Sequence, residues 1–145
     1  MIITFCGHSS YTKSIQDEKR ILDVLEKRVG DSLCDFYLGG YGAFDSFAYD
    51  CAKKFKKCHP NVKLIFVTPY LDESYNSSKR ELFDLIVYPE LEKIPKKYAI
   101  SHRNKWMISR ADIIIAYVSH KFGGAFKSYR YAKQKGKEIF NIADA

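Results

Sequence analysis

The chain has 145 residues, 46% hydrophobic and 28% charged, a balance that suits one globular domain with its own core and excludes a disordered or low-complexity chain. Its formal charge of +7 is dispersed, and the densest basic runs, Lys53 to Lys57 and Lys133 to Lys137, fall on expected helix ends, where cations complement the helix dipole. Charge by itself therefore does not define a nucleic-acid-binding protein, although it favours an anionic partner.

Met1 to Cys6 is apolar and β-branched and stops at Gly7-His8-Ser9-Ser10, which reads as a buried strand running into a turn. Ser14 to Val29 follows helical spacing, with Ile15, Ile21, Leu22, Leu25 and Val29 on one side and Gly30 closing it. Leu33 to Leu38 is a second strand that ends at Gly39-Gly40-Tyr41-Gly42, and a helix over about Ala43 to Lys57 follows. Val62 to Thr68 is a third strand. Leu71 to Ala99 breaks the rhythm: it holds a loop at Asn76-Ser77-Ser78, a short strand at Leu85 to Val87, and interruptions at Pro89 and Pro95. A helix over Arg103 to Arg110, a central strand over Ile113 to Val118, a helix over Gly124 to Gln134 and a last strand over Glu138 to Ile142 complete the pattern. Apolar strands alternating with helices predict an α/β Rossmann-like three-layer sandwich, with a mainly parallel sheet of about five to six strands in a single domain spanning residues 1–145.

Four cysteines show no CxxC pair and no metal-like spacing with the four histidines, so no metal, cofactor or disulfide is expected. No leader-like segment and no membrane-length apolar run is present, which points to a cytoplasmic protein without a membrane partner. The aromatic share of 15% is high, so some rings are expected to line a pocket or, as with Tyr129 and Tyr131, a homo-oligomer interface.

Three strand ends run through small residues into a helix: Gly7-His8-Ser9-Ser10, Gly39-Gly40-Tyr41-Gly42 and Phe122-Gly123-Gly124-Ala125. In an open parallel sheet, ligands bind at the carboxyl ends of the strands. Glycines there admit a ligand to the backbone, and the helix start offers free N–H groups to an anion. The spacing matches neither the dinucleotide fingerprint nor a P-loop, which disfavours an ordinary NAD dehydrogenase or an ATPase. Asp45 follows Gly42 by three residues, either as a favourable helix-start carboxylate or as an acceptor for a ribose or base edge. Arg103 is suited to gripping a phosphate and Asn104 to reading a base edge or holding a loop, whereas Trp106 and Met107 suit the core. His8 and His102 are the histidines near the expected ligand loops, as turn caps or as ligand contacts.

Taken together, Gly39-Gly40-x-Gly42-x-x-Asp45-x-x-Ala48, then Arg103-Asn104-x-x-Met107 ahead of Ala111-Asp112, then Gly123-Gly124-Ala125 ahead of Tyr131-Ala132 and Gly136-Lys137, resemble the SLOG superfamily. That superfamily unites the DNA-processing protein DprA with the Lonely Guy phosphoribohydrolases. The resemblance covers nearly the whole chain and implies a Rossmann-like sheet with a site for nucleotides or nucleotide-derived signals. Lonely Guy enzymes cleave the N-glycosidic bond of nucleoside monophosphates with an arginine and a glutamate. Arg103 matches the arginine, but Ser128 stands where the glutamate aligns.

The expected function is binding of a nucleotide-derived signalling ligand, as a sensing or sequestering module linked to antiphage defence or counter-defence. Its expected ligand-binding residues are Gly7, His8, Ser9, Gly39, Gly40, Gly42, Asp45, Arg103, Asn104, Gly123, Gly124 and Ala125. The alternative is a nucleotide N-glycosidase with Asp45 and Arg103 as catalytic residues, Asp45 replacing the missing glutamate. Single-stranded nucleic acid, as in DprA, is a third candidate partner. On this reading Arg103→Ala and Gly40→Val each abolish ligand binding and leave the fold intact.

Overall fold

The computed structural model describes residues 1–144. Strands and helices alternate as β1 (Ile2–Gly7), α1 (Ile15–Arg28), β2 (Cys34–Leu38), α2 (Ala43–Cys58), β3 (Val62–Val67), α3 (Glu73–Ser77), β4 (Leu85–Val87), α4 (Ala99–Arg110), β5 (Ile113–Tyr117), α5 (Gly123–Gln134) and β6 (Glu138–Asn141). Single 3-10 turns cover Lys96–Tyr98 and Ile142–Asp144. The six strands form one sheet in the order β4-β3-β2-β1-β5-β6, and every neighbouring pair is parallel.

The central strands are apolar on both faces because helices cover both, as a parallel sheet requires. Successive residues of β5 serve opposite layers: Ile113 and Ile115 join Ile3, Phe36, Phe44 and Ala48 on the α1/α2 side, while Ile114 and Ala116 join Ile108 and Ala132 on the α4/α5 side. Helix α1 starts at Ser14, whose hydroxyl accepts the Asp17 N–H at 3.1 Å, and it ends at Gly30 in the left-handed conformation. None of the described helices is long and apolar enough to cross a membrane.

The irregular stretch differs most from expectation. Asp72 caps α3 by accepting the Ser74 and Tyr75 N–H groups. Asp84 anchors β4 at the sheet edge by accepting the Leu64 N–H at 2.7 Å and the Lys56 ammonium. Pro95 opens the 3-10 turn that feeds α4, with Tyr98 N–H on its carbonyl at 2.8 Å. Helix α4 therefore begins at Ala99 rather than Arg103 and sets Arg103 one turn inside it.

Strand order fixes where a ligand can enter. From β1 the chain adds β2, β3 and β4 outward in one direction, then returns across α4 to lay β5 on the other side of β1. At such a reversal the flanking loops diverge and leave a crevice at the carboxyl ends of the two strands. Here those strands are β1 and β5.

Candidate functional site

A cavity of about 320 Å³ opens at that reversal. It is lined by Gly7 at the end of β1 and His8 and Ser9 after it, by Asp45 of α2, by Arg103 and Asn104 of α4, and by Gly123, Gly124 and Ala125 at the start of α5. Nine of the twelve expected ligand-binding residues thus share one concavity. Gly39, Gly40 and Gly42 do not line it.

The glycines divide by what surrounds them. A Cβ at Gly39 would lie 3.0 Å from the Arg103 guanidinium and 3.2 Å from the Asp45 carboxylate, so the bare backbone makes room for those two side chains. Gly40 has φ +63, and a Cβ there would stand 2.7 Å from the Phe66 ring. A Cβ at Gly7 would fall 2.3 Å from Cγ of Phe44. These positions need glycine to build the protein. Gly123 and Gly124 are different: a Cβ at either meets nothing within 4 Å, so packing does not explain a glycine at 124. Its bare backbone leaves the approach from the cavity open.

The start of α5 is uncapped. Phe122 occupies the N-cap position and makes no side-chain cap bond, where Ser, Thr, Asp or Asn would satisfy an N–H and add about 1 kcal/mol. The N–H groups of Gly123, Gly124 and Ala125 have no acceptor among the described residues. No acidic residue lies in this first turn, and Lys121 and Lys127 flank it in sequence. Free amides at the positive end of the helix dipole suit an anion.

Arg103 is 1% exposed and the largest of the fully buried side chains. Its Nη1 donates to the Gly39 and Val67 carbonyls, both at 2.8 Å, and its Nε to Asn104 Oδ1 at 2.9 Å. The grip on a phosphate expected from sequence is thus largely committed to the protein itself, and only Nη2 has no hydrogen-bond partner among the described residues. Arg103→Ala would strand two buried carbonyls, and Gly40→Val would drive a side chain into Phe66, so both substitutions cost fold stability and neither isolates ligand binding. Asn104 orients the guanidinium and also faces the cavity.

Asp45 is half-buried and accepts the Tyr41 N–H at 2.9 Å. Burial pushes its carboxyl up to about 6, against the opposing pull of the Tyr41 N–H and the Arg103 charge. It is therefore mostly ionised at neutral pH but easily protonated. Burial, aided by the Asp45 charge, pushes the Cys6 thiol up to about 12, so this cavity-lining sulfur is no thiolate nucleophile. Ser128 is buried and lines the cavity, a hydroxyl at the position where the resemblance puts a glutamate.

His102 is exposed and lies outside the cavity, whereas His120, not singled out from sequence, lines it. The signal was available: His120 sits just past the end of β5 and three residues before the glycine-led helix start. His8 is buried, its Nε2 accepts the Ser119 N–H at 2.9 Å, and burial followed by the nearby His120 lowers its pKa. The His120 Nδ1 atom is buried without a partner among the described residues.

No protein-family model matches the chain, and no curated protein matches it in sequence. Solved structures share its fold. DprA from Streptococcus pneumoniae aligns with a TM-score of 0.67 at 15% identity, over 96% of this chain and 49% of that one. DprA from Helicobacter pylori, described for its single-stranded DNA binding mode, aligns at 0.66 and 17% identity, over 97% of this chain and 64% of that one. The protein TM1055 aligns at 0.59 and 11% identity, over 95% of this chain and 71% of that one. The chain spans about half of the first DprA and less than two thirds of the second. The chain has the Rossmann-like fold of these DprA domains, which fits the SLOG resemblance carried by its glycine and arginine motifs.

Proposed function

We propose that the chain binds a nucleotide-derived ligand in the cavity between β1 and β5, as a sensing or sequestering module. The phosphate sits on the N–H groups of Gly123, Gly124 and Ala125, with Arg103 Nη2 nearby, and Asp45 and Asn104 take the sugar or base edge. The observation that carries this reading is the open Gly123-Gly124 backbone at an uncapped helix start, facing the same cavity as Asp45 and Arg103. Signalling or antiphage settings and a homo-oligomer packed through Tyr129 and Tyr131 extend the proposal by analogy; light scattering tests the oligomer.

Thermal unfolding with a panel of nucleotides and cyclic nucleotides tests the binding. A ligand that binds only the folded state raises the midpoint. Gly124→Val, whose Cβ meets nothing within 4 Å in the unliganded cavity, abolishes the shift while the fold stands. A variant that responds like the native protein rules out this site. A single-stranded oligonucleotide belongs in the same panel, since Lys121, Arg130 and Lys133 with Phe126 and Tyr129 line an adjoining pocket, together with Asp144. Binding that weakens steeply with salt identifies that class.

The placement and raised pKa of Asp45 favour a second reading, hydrolysis of an N-glycosidic bond. The Asp45 carboxylate accepts a proton from water, the oxygen bonds to the anomeric carbon as the C–N bond breaks, and the leaving base nitrogen takes a proton from solvent, to which Asp45 then releases its own. Chromatography of the incubated panel shows released base under this reading, absent in Asp45→Asn. Bound ligand with no released base leaves binding alone.

A further inference from the structure

Of the exposed large apolar side chains, Tyr41 (58% exposed) and Phe122 (69% exposed) are the two that line the cavity. Phe122 is the more unusual. It takes a helix N-cap position without capping and leaves most of its ring in solvent, so neither helix stability nor core packing accounts for it.

Beneath it stands a column of rings. His8 and His120 stack at 3.6 Å between centroids and 10° between planes, and His120 stacks on Phe122 at 3.9 Å and 22°. Tyr117 braces His8 edge-on at 6.4 Å, and the Ser119 N–H fixes its Nε2. Because that nitrogen accepts a hydrogen bond, His8 is neutral, so no positive charge disfavours stacking with His120. Phe122 is the open end of this column, and the next residues are Gly123 and Gly124.

We propose that Phe122, backed by His120 and His8, is a stacking platform for an aromatic base, so that the cavity selects base-bearing nucleotides over sugar phosphates. The stacked column continues by one ring, supplied by the ligand, while its phosphate rests on the amides of the following residues. This inference rests on the nucleotide reading of the cavity and adds the ligand class to it.

The probes are AMP and ribose 5-phosphate, which share the phosphate and differ in the base. Phe122→Ala weakens AMP binding by about 5- to 150-fold, the range that base–aromatic stacking spans, and leaves ribose 5-phosphate binding unchanged. In Phe122→Trp, compared with native protein whose one tryptophan is Trp106, AMP quenches the new fluorescence and ribose 5-phosphate does not. Equal losses for both probes in Phe122→Ala, or unquenched fluorescence at saturating AMP, overturn the platform and leave the anion site standing. Native protein that binds neither probe overturns the nucleotide reading and the platform with it.

Discussion

Replacing Asp45 with asparagine removes a charge that the fold holds against its own stability. The folded chain raises this carboxyl from 3.8 to about 6, mainly by burial. Between those values the folded state keeps a proton that the unfolded chain releases, so stability falls as pH rises through that window, and the loss is complete above the folded value. At 1.36 kcal/mol for each pH unit, the gap sets a ceiling of about 3 kcal/mol. Water entering the cavity screens the half-buried group, which brings the expected effect to about 1–2 kcal/mol. Asparagine keeps the Tyr41 N–H bond through its amide oxygen and carries no charge. Asp45→Asn is therefore more stable than the native chain at pH 7.5, by about 2–8 °C in unfolding midpoint, and equal to it near pH 3.5. Denaturant unfolding of both proteins at the two pH values measures this directly. Taking the difference cancels groups common to both, such as His8, whose lowered pKa costs stability on acidification. A variant no more stable than native at pH 7.5, or a difference that persists unchanged at pH 3.5, refutes the reasoning. A stabilising substitution in the cavity is the signature of a residue kept for function rather than for folding.

Gly7→Ala places a methyl 2.3 Å from Cγ of the fully buried Phe44 and should destabilise the fold by about 1–3 kcal/mol or more, read from a chemical denaturation midpoint. Arg103→Ala leaves the Gly39 and Val67 carbonyls unpaired in the interior, and the same measurement should show a loss of about 3–5 kcal/mol. Gly124→Ala behaves in the opposite way: with open space at its Cβ inside a helix, it should gain up to about 1 kcal/mol while weakening the nucleotide-induced thermal shift. If base release occurs, its rate should rise as pH increases through about 6, following ionisation of Asp45, as timed chromatography at several pH values would show.

The alternation of apolar runs with amphipathic stretches made the parallel sheet legible, because a strand buried on both faces must be apolar at consecutive positions, as Ile113, Ile114 and Ile115 are. The start of α4 was not legible, since Pro95 reads as a break but serves as the entry to a 3-10 turn that continues into helix. Glycine pairs located the loops, but spacing could not separate Gly39, which admits the Arg103 side chain, from Gly124, which nothing crowds. Arg103 reads as a phosphate grip because a buried arginine is rare, and only the fold reveals the carbonyls of Gly39, just past β2, and Val67, at the end of β3, that hold it. His120 lies just past the end of β5 yet is not legible as a site residue, because its significance comes from stacking on His8, 112 positions earlier in the chain.

The central claim is that the first turn of α5 receives the phosphate of a nucleotide. Following backbone amide resonances by NMR during titration with AMP tests it at the atoms concerned. The account predicts the largest saturable shifts at the amides of Gly123, Gly124 and Ala125, with smaller ones at Gly7 to Ser9. Saturable shifts confined to other parts of the chain, with the α5 amides unmoved, would contradict it.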